Sequence, residues 1–367
     1  MFKINIFCSL CILLCAILLS GCETRLVSNL NYKQVSFDDL PNFETDNLVE
    51  TATALKRSCI KMLQQSSKKY PVPHASNLTG HLNDWSPFCK TLILENGHTT
   101  KTLKAVIKEH LIPYKMSVGS NDEGHITGYY EPLLHGSKRR HGRYTTPLYR
   151  YPSNKKINIK IPRAKIVKGA FKGKKLELVW VDSAVDAFFL QIQGSGRVKL
   201  DTGEVMRLGY AGTNKHAYHP IGKTLLDDGE LQRGNVSMQA IRKWLQDHPK
   251  RAEEVMSTNE SYVFFRELTN NDGPIGSQGV PLTPKRSLAV DTHYLGLGTP
   301  LWVDIDHPTQ STRLQHLAVA QDTGGAIKGA LRADYFWGFG KHETEQAGKM
   351  NSKGHLYVLL PKVANGR

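Results

Sequence analysis

A series of short apolar runs, each bounded by turn-forming residues, constrains the fold of this chain more than any other feature. Leu176–Val181, Ala187–Gln193, Tyr262–Leu268, Leu288–Asp291, Leu301–Ile305, Leu317–Ala320 and Leu356–Leu360 are too short for most helices, and several are rich in β-branched or aromatic residues. They predict a mainly β body. Helical patterns are fewer. Thr100–Ile112 carries apolar residues at Leu103, Val106, Ile107, Leu111 and Ile112 and reads as a helix stopped by Pro113. Ser237 to Asp247 reads as another, with Ser237 as N-cap, Ile241, Trp244 and Leu245 inward, and Pro249 as the stop. With 367 residues, 40% of them hydrophobic and 22% charged, the chain suits two soluble domains or one elaborated one and excludes a polytopic membrane protein or a disordered chain.

The first twenty-two residues read as a targeting segment. Lys3 precedes an uncharged apolar run from Ile6 to Leu19, shorter than the roughly 20 residues a spanning helix needs. The run ends Leu19-Ser20-Gly21-Cys22, which resembles the lipobox of bacterial lipoproteins, in which the cysteine is acylated. The expectation is a signal peptide over 1–21, lipid on Cys22, and a polar tether over 22–50. Glu23 after the cysteine favours the outer membrane over the inner. Of six cysteines, Cys59 and Cys89 then remain in the folded body, either as one disulfide or as two buried thiols. The 15 histidines are scattered without zinc spacing, so no metal and no cofactor is expected.

The net charge of +15 leaves nucleic acid, membrane and acidic polymer open as partners. Its source is local. Between Glu131 and Glu177 there are fourteen lysines and arginines and no acid, and Ile157, Ile159 and Ile161 alternate within the segment. The pattern predicts a basic-faced β segment over 138–175, either simply solvated or an electrostatic site for an anionic polymer.

Unusual chemistry concentrates near the C-terminus. In Gln321-Asp322-Thr323-Gly324-Gly325-Ala326-Ile327-Lys328-Gly329 an apolar run ends at an acid and a glycine turn, and Asp334 follows beside Tyr335, Phe336 and Trp337. Those rings are expected to desolvate Asp334 and raise its pKa, as a proton donor near neutral pH requires, or to stack on sugar faces. Other clusters combine amides, hydroxyls, aromatics and turns. They are Thr127-Gly128-Tyr129-Tyr130-Glu131-Pro132, Leu190-Gln191-Ile192-Gln193-Gly194-Ser195-Gly196, which reads as a strand end, and Gly209-Tyr210-Ala211-Gly212-Thr213-Asn214. None is a GxSxG elbow, GxGxxG fingerprint or P-loop, so nucleotide chemistry drops out.

Taken in order, TGYYEP at 127–132, LQIQGSG at 190–196, GYAGTN and HAYHPIGKTL within 209–225, SYVFF at 261–265, and QDTGGAIKG with RADYFWG within 321–338 resemble the lytic murein transglycosylase A family. The resemblance implies a double-psi β-barrel from 51–132 and 259–367, a second β domain inserted over 133–258, and a substrate groove between them. It implies a lyase that cleaves the β-1,4 bond between N-acetylmuramic acid and N-acetylglucosamine and leaves 1,6-anhydromuramoyl ends. Asp334 would be acid and then base; Asp322 would support the groove or a developing positive charge, or simply cap its turn. Thr127, Tyr129, Gln193, Ser195, Asp291 and Lys328 are candidates for glycan hydrogen bonds, with Asp291 equally able to cap a strand end, and Trp337 for stacking. A Lys328 close to Asp334 would lower its pKa. Peptidoglycan strands and cell-wall synthesis or hydrolase complexes are the expected partners, reached from a lipid anchor in the outer membrane facing the periplasm. A non-catalytic cell-wall-binding lipoprotein and a conventional glycan hydrolase are the alternatives, and no nucleic-acid partner is expected.

Overall fold

The computed structural model describes residues 30–65, 82–95, 97–234, 236–269 and 272–362. The proposed signal peptide and Cys22 lie outside the described residues. The chain enters at β1 (Leu30–Gln34), passes through helices α1 (Val49–Leu63), α2 (Ser86–Leu94) and α3 (Thr100–His110), and runs into β2 (Leu111–Val118) and β3 (Gly124–Glu131). A second sheet then takes β4 (Leu133–Ser137), β5 (Thr146–Tyr149), β6 (Glu177–Val181), β7 (Gly196–Leu200), β8 (Val205–Thr213) and β9 (Val263–Leu268). It is interrupted by α4 (Ala184–Gln193), α5 (Ile221–Asp227), α6 (Met238–Asp247) and α7 (Pro249–Thr258). The chain returns through β10 (Ser287–Val290), β11 (Pro300–Asp306), β12 (Arg313–Asp322), β13 (Arg332–Phe339), α8 (Lys341–Lys349) and β14 (Asn351–Pro361).

Strands β14, β11, β12, β10, β13 and β3 pair in that order, and β3 pairs back onto β14, closing a six-stranded barrel. Closure removes the free edges that an open sheet would expose. The pairs β10–β12 and β13–β3 are parallel and the others antiparallel. Strands β1 and β2 extend the sheet from β14. The mainly β, two-domain body with a β insertion is thus as expected from the sequence, although the insertion extends further. β9 pairs along β8, and Phe264 and Phe265 are fully buried on the second sheet's side, so the SYVFF segment belongs to the insertion, which ends after Leu268 rather than at 258.

Four expectations are corrected by long-range contacts. Residues 30–50 are folded, not a tether: Leu40, Phe43 and Leu48 are buried in the main core, and Asp46 accepts two hydrogen bonds from the buried Arg286 guanidinium at 3.0 and 3.1 Å. Helix α3 stops at His110, two residues early, because Leu111 and Ile112 already pair with β14 and Pro113 continues that strand. Ala187–Gln193 is helical: the Ser183 hydroxyl caps α4 by accepting from the Asp186 N–H, and Gly194, at φ +80°, ends it in the left-handed conformation glycine tolerates. The basic segment is mostly irregular, with only β5 as strand up to Lys175. Ile157, Ile159 and Ile161 pack against a cluster containing Ile166, Phe171, Leu176 and Phe264 rather than alternating in a sheet.

Cys59 in α1 and Cys89 in α2 form a disulfide. Closing a loop of that length stabilises the fold by on the order of 3–4 kcal/mol and fits an oxidising compartment. The Asp46–Arg286 pair makes a sharper test of the N-terminal segment. Asp46→Ala removes two charge-assisted hydrogen bonds and leaves the Arg286 guanidinium with Glu50 at 2.8 Å and the Leu317 carbonyl, so urea titration is expected to show a loss of roughly 2–3 kcal/mol; a loss below about 1 kcal/mol would mean that residues 30–50 are not integral to the barrel.

Candidate active site

One row of residues runs across the barrel wall. Ala289 on β10 pairs with Asp322 on β12 on one side and with Asp334 on β13 on the other; Asp334 pairs with Thr127 on β3, and Thr127 with Asn351 on β14. Neighbouring strands lie ~4.8 Å apart, so the two aspartate backbones are roughly 10 Å apart with only a methyl group between them. Side chains alternate along each strand: Ile126, Ala333, Tyr335 and Leu288 enter the main core, whereas Thr127, Asp334 and Ala289 take the opposite face. Beneath the row, Tyr129 and Phe336, with ring centroids 5.0 Å apart, pack with Leu282, Ala289 and Ile327.

Asp334 is half-buried, and its Oδ1 accepts a 2.7 Å hydrogen bond from the Thr127 hydroxyl. The same Thr127 oxygen accepts from Arg332 at 2.7 Å, which leaves the threonine proton directed at the carboxylate. Burial pushes the Asp334 pKa upward, the Thr127 bond and the Arg332 charge oppose it, and the Asp322 charge adds to the rise; the result is about 6. Asp334 is therefore a carboxyl that carries a proton into the mildly acidic range.

Asp322 is held differently. Its Oδ1 accepts from the Ser277 N–H, the Ser277 hydroxyl and the Thr323 N–H, each at 2.9 Å, and its Oδ2 accepts from the Tyr129 hydroxyl at 3.2 Å. Burial raises its pKa against those bonds. Both oxygens are occupied, so Asp322 caps its own turn and also braces the floor of the site. The second domain supplies Tyr218, which is close enough to feel the Asp334 charge; a Cβ on Gly325 would lie 3.8 Å from that of Tyr218. The domains are joined beside the row. The Gln193 side-chain oxygen accepts from the Tyr130 N–H at 3.0 Å, and Arg197 donates to the buried Glu131 carboxylate at 2.8 and 2.9 Å.

Comparison with known proteins fits this geometry. A family model described as the MltA specific insert domain matches residues 125–266, and one described as the 3D domain matches residues 286–360. The membrane-bound lytic murein transglycosylase A of Vibrio cholerae is 32% identical over 289 residues, covering 76% of this chain and 74% of that protein. The chain belongs to the lytic murein transglycosylase A family. The Escherichia coli member is 34% identical over 66% of this chain and 67% of its own, and the match to the Buchnera aphidicola homolog spans 65% of that protein, just under two thirds. Among solved structures, a membrane-bound lytic murein transglycosylase from Agrobacterium tumefaciens superposes with a TM-score of 0.79 at 29% identity, covering 90% of this chain and 98% of that one. E. coli MltA with bound chitohexaose gives a TM-score of 0.70 at 28% identity, covering 91% and 94%.

Within this transglycosylase A fold, the residues singled out from sequence do not all meet. Asp334, Thr127, Tyr129 and Asp322 come together. Gln193 stands at the domain junction with its oxygen already used, and Ser195 is half-buried in the turn after it. Asp291 does not face the row as a free ligand: it is buried, accepting from the Gly329 N–H and from both the N–H and ring of His293, and so fixes the glycine turn. Burial alone would raise its pKa, but those bonds outweigh it and hold the carboxyl below its usual range. Lys328 is exposed on the turn, and Arg332, not Lys328, is the cation that acts on Asp334. Trp337 is no stacking platform. It is 2% exposed in the main core, edge-on to Tyr335, with its N–H directed at the Met350 sulfur. The desolvating surroundings therefore come from the Tyr129–Phe336 face, not from Tyr335 and Trp337. TGYYEP also lies on strand β3 up to Glu131 rather than in a turn.

Tyr218 lies in HAYHPIGKTL and Arg332 opens RADYFWG, but neither is singled out within its motif, although Arg332, two positions before Asp334, shares its face by strand alternation; Ser277 lies in no motif. Among the described residues no group of three or more His, Cys, Asp or Glu side chains is arranged to hold a metal ion.

Because the folded pKa of Asp334 exceeds its unfolded value, native protein binds the proton more tightly, and stability falls as pH rises from about 4 to about 6. Asp334→Asn removes that penalty. Thermal unfolding is expected to show the variant more stable than the parent at pH 7, by up to about 3 kcal/mol, with the gain disappearing at pH 4. Equal stability of the two at pH 7 would place Asp334 in an ordinary aqueous setting.

Proposed function

We propose that this protein is a peptidoglycan lytic transglycosylase that cleaves the β-1,4 bond between N-acetylmuramic acid and N-acetylglucosamine and releases 1,6-anhydromuramoyl ends in cell-wall remodelling. One observation carries the reading: a single proton-holding carboxyl, Asp334, with Thr127 on one oxygen, beside a second carboxylate whose oxygens are both engaged. A hydrolase of the common two-carboxylate type needs the second group free to attack or to activate water. Asp322, tied to Ser277, Thr323 and Tyr129, is not free.

In the proposed cycle, neutral Asp334 donates its proton to the glycosidic oxygen as the bond to C1 of the muramoyl residue breaks, and the N-acetylglucosamine hydroxyl leaves. The C6 hydroxyl of the same muramoyl residue then attacks C1, and its proton passes to the Asp334 carboxylate, restoring the acid. No water is consumed. Intramolecular attack needs no second reactant to be captured, and Asp322 places negative charge near the developing oxocarbenium ion. Thr127 and Arg332 hold the Asp334 carboxylate in the interval between the two proton transfers. In this reading the glycan runs between the domains, with Ser195 and Lys328 offering it hydrogen bonds and Tyr129 and Gln193 holding the floor and the junction, and the barrel is double-psi. The relatives' names describe membrane-bound proteins, and a lipid on Cys22, with an outer-membrane address facing the periplasm, is the finer reading of location. No helix of the described residues is long and apolar enough to cross a membrane.

Mass spectrometry of peptidoglycan digested by the chain lacking residues 1–22 tests the activity. Muropeptides lighter by one water than lysozyme products are expected, and none from folded Asp334→Asn; fully hydrated products would make the protein a hydrolase. The pH profile tests the acid. Since protonated Asp334 starts the reaction, the rate should fall about tenfold per pH unit above about 6. Arg332→Gln removes a charge that lowers this pKa, so the falling limb should move to higher pH; an unmoved limb would take Arg332 out of the acid's control.

A further inference from the structure

The second domain carries an open-mouthed cavity of about 260 Å³ whose wall includes Tyr149, Arg163, Phe188, Gln191, Met256 and Tyr262. Arg163 is 3% exposed and has no carboxylate partner among the described residues. Its Nε donates to the Asn259 carbonyl at 2.8 Å and one terminal nitrogen donates to that of Ser261, while the rings of Phe188 and Tyr262 lie 4.7 and 5.4 Å from the guanidinium carbon. A guanidinium has five N–H donors, so most of its capacity is unspent. Burial without a counter-charge lowers its pKa to about 10. In the same wall the side chain of Gln191 is buried with its amide N–H on the Tyr262 hydroxyl, and its carbonyl oxygen has no donor among the described residues.

A buried cation without an anion and a buried acceptor without a donor each cost free energy unless a ligand completes them. The missing ligand must bring a carboxylate or similar anion for Arg163 and an N–H for Gln191, with little bulk. The volume equals roughly nine waters, enough for one or two small residues against walls that are largely carbon. Exposed Lys165, Lys168 and Lys172 flank the cavity's helical turn, against one rim carboxylate, Glu253, and favour approach of an anion. The cavity is also tied to the row of the active site: Tyr218 feels both the Arg163 and the Asp334 charge.

We propose that this cavity binds the terminal carboxylate of a short peptide, with Arg163 taking the carboxylate and Gln191 the last peptide N–H. The identity of the peptide rests on the function proposed above: it is the stem peptide that peptidoglycan carries beside each scissile bond. The site would make the enzyme discriminate between peptide-bearing and stripped strands.

Isothermal titration with free stem tetrapeptide and with its C-terminal carboxamide tests this on the intact protein. The acid is expected to bind at least tenfold tighter than the carboxamide, because a charge-assisted bidentate contact is lost in the latter. Arg163→Gln should erase that difference, and Ala184→Trp, at an exposed position in the cavity lining, should do the same if the first variant fails to fold. Equal binding of acid and carboxamide, no binding of either, or parental affinity in folded Ala184→Trp would overturn the proposal and leave Arg163 a brace for the Asn259 and Ser261 carbonyls between α7 and β9. The titration involves no glycan, so it stands or falls separately from the cleavage assay.

Discussion

Backbone pairing on both sides of β13 is the constraint on which the site depends. Asp334 is fixed by Ala289 on one neighbour and by Thr127 on the other, so its position is set by strand register rather than by a loop. Register has a second consequence. The same pairing places Ala289 between the two aspartates, where it is buried against Tyr129, Leu282, Ile327 and Phe336, and a larger residue there would push that floor apart. Barrel closure through β3 and β14 makes that register hard to shift, since a one-residue slip would turn Asp334 into the core and Tyr335 out of it.

Electrostatics then divides the labour between two residues of the same type. Asp334 has one strong hydrogen-bond donor and a low-dielectric surrounding, which favour the protonated form; Asp322 has four donors spread over both oxygens, which favour holding it still. Arg332 moderates the first without neutralising it, because its contact runs through the Thr127 hydroxyl. The N-terminal residues contribute indirectly: the Asp46–Arg286 pair clamps them to the chain just before β10, the strand that carries Ala289.

How much of this was legible in the sequence follows from the range of the interactions. The glycine turn beside an acid, the second acid twelve positions on, and the Thr-x-Tyr spacing on β3 are local patterns and marked four residues that do meet. Alternation along β13 also carried information that composition obscured: Trp337 is an odd number of positions from Asp334 and had to face the core. What no local pattern carried was the contribution of other segments. Ser277 reaches Asp322 across 45 residues, and Tyr218 comes from the other domain. Short apolar runs misled in one place, where phenylalanines and isoleucine in α4 suggested a strand although Ser183 and Gly194 supplied both caps of a helix. The polar composition of residues 30–50 likewise hid a buried ion pair whose partner lies 240 positions away.

The central claim is that the fold makes Asp334 a carboxyl that is still largely protonated near pH 5.5 and becomes charged above about 6. Carbon-13 NMR titration of the Asp334 side-chain carboxyl, assigned by comparison with Asp334→Asn, measures this directly. The account predicts a midpoint near 6; a midpoint near the ordinary aspartate value of ~3.9 would contradict it and would leave the site without its acid.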